Sequence, residues 1–339
     1  MATLITCMGS LPSKPASSYR GRLAPSPTGY LHVGHARTFW TAFERARDAG
    51  GTLVMRMEDL DPDRSRSCYA EAVIEDLRWL GIRWQEGPGR AGPGTLGGPA
   101  ASPHEEGPFA PYAQRLRRAY YVDEWRKLLQ CGFLYSCRCS RKDLETALAA
   151  PHEAGPSDPQ GDEEVEPLDD EPIYPGTCRP GLSRGFGDAA SRLPCPAANE
   201  IGTPDGINWR FRVPDGEAIE FEDGNLGPQR FVAGRDFGDF VVWRRDGVPS
   251  YQLACVADDA AMGITEVVRG ADLLKSTARQ ILLNRALGYN NPAWFHCRLL
   301  VDRNGHRLAK RHDSLSLRTL RQRGLTPMDI LAGELPLEA

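Results

Sequence analysis

The sequence contains no run of about 18 apolar residues, which is the length that a membrane-crossing helix takes. Residues 1–18 also lack the basic start and apolar stretch of a secretory signal, and we interpret them as a disordered N-terminal extension. The nine cysteines are an odd number, which does not suggest a disulfide framework. These absences argue against membrane-spanning and disulfide-rich secreted proteins, and they favour a reducing compartment, the cytoplasm.

A strong charge of one sign is also absent, since the net charge is −4 and the pI is about 6.0. The charge is unevenly distributed, however. Residues 151–172 contain nine acidic residues and no Lys or Arg, which predicts a disordered acidic insert. Residues 298–323 contain eight Lys or Arg, which is compatible with tRNA binding but equally with a solvated surface.

Residues 19–37, YRGRLAPSPTGYLHVGHAR, combine a short strand, a Pro/Gly turn and a helix start at His32. Open α/β sheets present phosphate sites in this way, because backbone N–H groups at the helix start face the anion. His32 and His35 lie on one face of the first helical turn, and Gly34 lets a ring approach the backbone closely. By itself this pattern also fits a helix start with two capping histidines.

The rest of the chain predicts alternating strands and helices, which is typical of a doubly wound α/β fold. Short strands are predicted at 52–57 and 265–268, and an antiparallel pair at 207–213 and 217–222, while the apolar runs at 239–244 and 252–257 are interpreted as a return to the central sheet. Helices are predicted at 36–49, 67–80, 112–130, 140–149 and 273–287. The Gly/Pro-rich residues 86–111 predict a mobile surface insert.

Four separated motifs resemble those of class I glutamyl-tRNA synthetases and their short relatives. They are RLAPSPTGYLHVGHART, RMEDLDPDRS, residues 247–259 and GITEVVRGADLL. The resemblance implies an α/β fold: a Rossmann-like parallel-sheet catalytic domain with an inserted zinc-bearing, acceptor-binding-type subdomain and a short stem-contact remnant. It divides the chain after the extension into a catalytic half at 19–111, the insertion at 112–235, a second catalytic half at 236–300, and a lysine loop with the remnant at 301–339.

The same resemblance implies that ATP, with Mg, activates an amino acid as an acyl-adenylate. His32, His35 and Lys310 are then the catalytic residues, and together with Gly34 they bind ATP. Lys310 lies in RLAKR, which departs from the family's lysine loop because Arg and Ala replace its first Lys and first Ser. An exposed basic turn is the alternative interpretation.

For L-glutamate, the resemblance implies a pocket with an acidic residue for the ammonium and arginines for the two carboxylates. Glu58 corresponds to the ammonium-binding residue and Tyr251 to one that hydrogen-bonds the substrate. Which arginine holds which carboxylate is left open. The full set is Arg22, Leu23, Ala24, Pro25, Ser26, Glu58, Tyr251 and Arg269.

Cys137-x-Cys139 is modest support for a structural zinc ion, which takes four ligands. Tyr174 and Cys178 resemble the second half of the zinc site in the short relatives, where a tyrosinate completes three thiolates. His152 and Cys195 are the alternatives to Tyr174.

Only 28 residues follow Arg311, where glutamyl-tRNA synthetases continue into anticodon-reading domains. This resembles the glutamyl-queuosine tRNA(Asp) synthetase family, which forms the adenylate without tRNA and esterifies queuosine at the wobble position of tRNA(Asp). A monomer is the family expectation. The alternatives are a truncated glutamyl-tRNA synthetase that charges a tRNA 3′ end, and a zinc-stabilised RNA-binding protein without catalysis.

Overall fold

The computed structural model describes residues 19–89, 107–140, 143, 172–180, 202–300 and 316–332. The predictions for residues 1–18, 90–106, 144–171 and 301–315 therefore lie outside the described residues, as do Lys310, His152 and Cys195. Within the described part, every cysteine is a free thiol, and no helix is long and apolar enough to cross a membrane.

The predicted strand–turn–helix unit is present. Strand β1 (Arg20–Leu23) pairs in parallel with β2 (Thr52–Met55), and helix α1 (Val33–Asp48) connects them. Helix α2 (Ser67–Trp79) follows, close to the predicted bounds. Apolar residues of these four elements form one of two large cores, so the turn before α1 rests on a packed base.

A second sheet contains four strands in the order β6 (Gly227–Val232), β5 (Ala218–Asp223), β9 (Ala293–Cys297) and β8 (Glu266–Gly270). The pairs β5–β9 and β8–β9 are parallel, and β5–β6 is antiparallel. This sheet adjoins β1, because the Thr265 amide donates to the Arg20 carbonyl at 2.9 Å. The expected α/β fold is therefore confirmed, but its sheets are mixed rather than wholly parallel.

The predicted pairing of 207–213 with 217–222 is wrong. Strand β4 (Asn208–Phe211) lies instead in a three-stranded antiparallel sheet with β3 (Leu134–Cys137) and β7 (Phe240–Trp243). An alternating pattern indicates a half-buried strand but does not identify its partner, which in β3 is about 70 residues away. Both sheets thus contain strands from before and after the proposed boundary at 235.

The interpretation of 239–244 and 252–257 as a return to the central sheet is also wrong, because β7 belongs to the three-stranded sheet and residues 252–257 belong to helix α4 (Tyr251–Ala261). The Ser250 hydroxyl accepts a hydrogen bond from the Leu253 amide and caps the helix. The first half of α4 is buried on nearly all sides, so its short apolar run carries no helical period.

Helix α3 (Arg118–Gln130) begins later than predicted, after a single 3-10 turn at Gln114–Leu116. Tyr112 and Ala113 are extended because they hydrogen-bond beside Met57 at the end of β2. Helix α5 (Leu274–Leu287) ends as predicted at Gly288, whose φ of 75° is left-handed. Two short helices, α6 (Leu317–Gln322) and α7 (Pro327–Ala332), complete the described chain.

Candidate active site

A cavity of about 640 Å³ lies beside the turn that joins β1 to α1, at the carboxyl ends of β1 and β8. Open α/β sheets place ligands at this edge. Nearly all described residues that were predicted to bind glutamate or ATP line it. They are Arg22, Ala24, Pro25, Ser26, His32, Gly34, His35, Glu58, Tyr251 and Arg269.

Leu23 is the exception. Its side chain is completely buried in the core and does not line the cavity, and its carbonyl accepts a hydrogen bond from the Arg56 amide. Successive side chains of a strand point to opposite faces, so Arg22 faces the cavity and Leu23 faces the core. The side chain of Leu23 therefore packs in the core, and the contact of Leu23 with glutamate stays a prediction.

The two histidines stack at the start of α1, with their ring centroids 3.7 Å apart. The Nδ1 atom of His32 accepts from the Gly34 amide at 3.1 Å, and Nδ1 of His35 accepts from the His32 amide at 3.3 Å. The surrounding protein lowers the pKa of both imidazoles, so both are neutral at pH 7. With Nδ1 accepting, the proton of each ring lies on Nε2, which is therefore a hydrogen-bond donor.

Gly34 gives this stack room. A Cβ atom at position 34 would lie 3.0 Å from Cε1 of His32. Glycine therefore leaves the space that the His32 ring occupies.

At the other side of the cavity, Arg269 projects from β8 and is 4% exposed. One terminal nitrogen donates to Gln280 Oε1 at 2.9 Å and lies 3.4 Å from the Tyr251 hydroxyl; the other donates to Thr277 at 2.6 Å. Burial raises the pKa of Tyr251, so its hydroxyl stays protonated. Arg22, also buried, donates to the Val268 carbonyl at 2.7 Å.

Glu58 is held in the cavity wall by a group that the sequence interpretation did not identify. Arg56 is completely buried and donates to Glu58 at 3.0 Å and to Asp259 at 2.5 Å. Asp258 lies 3.7 Å from the Arg56 Nε atom. The charged residue within the apolar run TLVMRM, together with the paired aspartates in α4, was the available signal.

Asp258 extends this network to α3. It accepts hydrogen bonds from Arg117 at 2.6 Å, from Gln114 at 2.8 Å and from the Tyr121 hydroxyl at 2.8 Å. Asp259 lies 3.7 Å from the Nε atom of Arg22. The predicted substrate residues Arg22 and Glu58 are therefore linked through Asp259 and Arg56.

A wider groove of about 1180 Å³ adjoins the cavity and shares Ser26, Thr28, Glu58 and Tyr251 with it. It runs to Cys139 and Tyr174 in the region of the three-stranded sheet. Five arginines lie along its walls: Arg64, Arg210, Arg244, Arg245 and Arg279.

The predicted zinc ligands converge at the far end of this groove. The sulfur atoms of Cys137, Cys139 and Cys178 all lie within 4.8 Å of one another. The Tyr174 hydroxyl is 3.4 Å from the Cys137 sulfur and 3.6 Å from that of Cys139. Tetrahedral zinc with Zn–S bonds of about 2.3 Å separates its sulfur ligands by about 3.8 Å, so this donor set fits zinc.

Arg210 supplies a positive charge beside these donors. Its Nε atom donates to the Cys137 sulfur at 3.3 Å, and its guanidinium lies 3.8 Å from the centre of the Tyr174 ring. Burial and the neighbouring thiols raise the pKa of Tyr174, so its phenol would ionise only when a cation binds to its oxygen.

Comparison with known proteins identifies the family. The model of class I tRNA synthetases (E and Q), catalytic domain, matches residues 18–177 and 199–334. A Glutamyl-Q tRNA(Asp) synthetase of Nitratidesulfovibrio vulgaris is 43% identical over 94% of this chain and 87% of its own length. That of Symbiobacterium thermophilum is 44% identical over 92% and 84%.

Solved structures agree. The crystal structure of glutamate-tRNA synthetase from Elizabethkingia anophelis superimposes with a TM-score of 0.62 at 26% identity. The match covers 91% of this chain but 54% of the synthetase, so the chain spans about half of that protein's length.

Proposed function

The chain belongs to the class I tRNA synthetases for glutamate and glutamine and is an aminoacyl-tRNA-synthetase-like ligase; we propose that it activates L-glutamate with ATP, without tRNA, and transfers it to queuosine. The acceptor is the queuosine base at the wobble position of tRNA(Asp). The observation that carries the proposal is the meeting of Arg22, Glu58, Arg269 and both histidines in one cavity.

The cavity offers opposite charges to the charged groups of glutamate, which lose their contacts with water on binding. Glu58 offers a carboxylate to the α-ammonium, and the two arginines offer guanidinium groups to the two carboxylates. Because Arg56 and Asp259 hold Glu58 and Arg22 in place within the protein itself, little reorganisation accompanies binding.

In the first step, the substrate α-carboxylate attacks the α-phosphorus of ATP and pyrophosphate leaves, with Mg²⁺ as part of the nucleotide substrate. His32 and His35 donate from Nε2 to phosphate oxygens, on which negative charge builds in the transition state. Lys310 is proposed as a second phosphate contact.

In the second step, a hydroxyl of the queuosine base attacks the activated carbonyl, and AMP leaves. The groove beside the cavity supports this step, because the exposed Arg64 and Arg245 in its lining offer positive charge to the anticodon arm, and Glu58 and Tyr251 line both the groove and the cavity. A structural zinc ion held by Cys137, Cys139, Tyr174 and Cys178 would stabilise the subdomain at 112–235, which forms the far wall.

The test compares two forms of tRNA(Asp), one containing queuosine and one with unmodified guanosine at the wobble position. We expect labelled glutamate to be incorporated only into the queuosine form. Periodate oxidation destroys the diol at the tRNA 3′ end. Incorporation should survive this treatment when the diol of the queuosine base is protected beforehand. Incorporation that does not depend on queuosine would contradict the proposal. Elemental analysis of the purified protein tests zinc separately, with one ion per chain expected.

A second function is favoured by the structural match to a glutamate-tRNA synthetase. The same adenylate could be transferred to a tRNA 3′ end. In that case, a tRNA for glutamate would accept the label, a tRNA lacking its terminal adenosine would not, and queuosine would have no effect.

A further inference from the structure

The surroundings of Arg269 differ from those of the other buried arginines around the cavity. Arg56 contacts three carboxylates, and Arg22 has Asp259 at 3.7 Å. Within the described residues, Arg269 forms no ion pair. Its donors meet only neutral acceptors: the imidazole of His296 and the side chains of Gln280, Thr277 and Tyr251.

His296 is placed beside Arg269 by the sheet. The two residues are register partners on the parallel strands β8 and β9, and Nε of Arg269 lies 3.2 Å from Nε2 of His296. Thr277 contacts the same Nε2 atom at 3.0 Å. Because the guanidinium is always a donor, Nε2 of His296 must be an acceptor without a proton.

Asp223 at the end of β5 fixes that tautomer. Its Oδ2 atom lies 2.6 Å from Nδ1 of His296, so the ring proton lies on Nδ1 and donates to the carboxylate. Oδ1 of Asp223 accepts from the amides of Asn225 and Leu226 at 3.0 and 2.9 Å, which anchors the carboxylate. Asp223, His296 and Arg269 therefore form one chain of hydrogen bonds across three adjacent strands.

Burial and the charge of Arg269 lower the pKa of His296 to about 4, so the imidazole is neutral at pH 7. A carboxylate in direct contact with Arg269 would neutralise its charge and compete with an anionic substrate. A neutral imidazole orients the guanidinium without doing so.

We propose that Asp223 and His296 are positioning residues for glutamate: they hold Arg269 through a neutral acceptor and leave its positive charge for a substrate carboxylate. This inference rests on the proposed activation of glutamate. It adds two residues that touch no substrate to the glutamate site.

Two substitutions at His296 separate this role from a purely structural one. In H296Q, the side-chain amide oxygen can take the place of Nε2 and accept from Arg269. In H296N, the shorter amide can take the place of Nδ1 and donate to Asp223, but it does not reach Arg269. A role in stabilising the turn at Asp223 would therefore favour H296N, whereas the proposed role favours H296Q.

The measurement is the KM for glutamate in glutamate-dependent exchange of pyrophosphate into ATP. We expect H296N to raise this KM by roughly 10–100-fold, the usual effect of losing a hydrogen bond to a charged group, and H296Q to raise it by less than roughly tenfold. The KM for ATP should not change. An H296N enzyme that binds glutamate as well as H296Q or better would overturn the proposal.

A second variant keeps the test decisive if the His296 variants do not fold. In D223N, Oδ1 keeps its backbone hydrogen bonds, but the new amide donates to Nδ1 and moves the ring proton to Nε2, against the Arg269 donor. The glutamate KM should rise by roughly 10–100-fold while the KM for ATP stays constant. An unchanged glutamate KM would overturn the proposal.

The matched control is E124Q in α3. Glu124 is also a completely buried carboxylate, but its partners are Tyr289 at 2.7 Å and Lys127 at 2.8 Å, and none of the three lines the cavity. Its substitution should leave the glutamate KM unchanged. If the unsubstituted enzyme showed no glutamate-dependent exchange, the proposed function would fail. If it showed exchange but H296N and D223N kept its glutamate KM, this inference alone would fail.

Discussion

The cavity and the cysteine cluster hold polar groups together in opposite ways. Beside the cavity, six buried charges are paired within the chain, since Arg56, Arg117 and Arg22 alternate with Asp258, Asp259 and Glu58, whereas Arg269 has neutral partners. At the cysteine cluster, three thiols and a phenol converge on one point. Among the described residues, the hydrophobic core there has Tyr135, Cys137 and Tyr174 as its buried members.

This difference indicates which region depends on a ligand. A buried ionic network with satisfied partners is formed by folding itself, so the cavity exists before its substrates arrive. Four converging donors gain little from one another and much from a cation, because metal binding to such a site contributes directly to folding. We therefore expect substrate removal to leave the cavity intact and zinc removal to loosen the cluster.

Among the substitutions that test this difference, replacing Arg56 should have the largest effect, which is a loss in the free energy of unfolding. Arg56→Leu leaves Glu58, Asp258 and Asp259 without their shared cation, and breaking a buried ion pair costs about 3–5 kcal/mol. Urea unfolding should show that loss in the free energy of unfolding, and the folded fraction should keep its zinc. Arg126→Ala, which removes an exposed ion pair with Asp123, is the control. An equal effect of both substitutions would contradict the account.

The next effect concerns the phosphate donors. His35→Ala removes a preorganised donor without removing a buried charge, so kcat for pyrophosphate exchange should fall by roughly 10²–10³-fold. The free energy of unfolding should change much less than in Arg56→Leu. Glu44→Ala, on the same helix but outside the cavity lining, should retain full activity. Full activity of His35→Ala would contradict the role of His35 as a phosphate donor.

Acid should destabilise the cavity side of the molecule through His296, which faces Asp223, Arg269 and, at longer range, Arg22. The unfolded chain protonates this histidine below pH 6.5, whereas the folded protein does so only near pH 4. Stability contributed by the neutral ring is therefore complete above pH 6.5 and is lost as the pH falls. Between pH 7 and 5 this loss is about 2 kcal/mol.

Urea unfolding at both pH values checks this. Because other groups also titrate, the relevant quantity is the difference between the unsubstituted protein and His296→Gln. That difference should shrink toward low pH, and a constant difference would show that His296 does not titrate as stated.

The smallest effect is expected beside the cysteine cluster. Arg210→Gln removes the cation that donates to Cys137, and loss of such a supporting contact lowers metal affinity by roughly 10–100-fold. Competition with a chromophoric chelator measures the affinity. Arg230→Gln, which affects an exposed ion pair with Glu220, is the control and should keep full affinity. Equal zinc affinities of both variants would contradict the role of Arg210.

The features that sequence analysis predicted well have local causes. The turn before α1 and the end of α5 at Gly288 depend on neighbouring residues, and their positions agree with the structure. The set of cavity-lining residues was identified through motif resemblance, which carries spatial information that periodicity does not. Motif resemblance also identified the residues that converge at the cysteine cluster, which are Cys137, Cys139, Tyr174 and Cys178.

The failures have non-local causes. Strand β4 pairs with β3 and β7 rather than with β5, because partner choice depends on segments far away in the sequence. The apolar run in α4 has no distinguishing period when most of its sides are buried. The positions of Arg56, Asp223 and His296 carry no spacing rule, since each acts through a residue from a distant segment.

The most direct measurement of the central claim is pyrophosphate exchange into ATP, with glutamate and without tRNA. We predict exchange that glutamate saturates, that glutamine does not support at comparable concentration, and that Glu58→Gln and Arg269→Lys each reduce strongly. Exchange that is absent in the folded protein, or that proceeds equally without glutamate, would contradict the claim that this cavity activates glutamate.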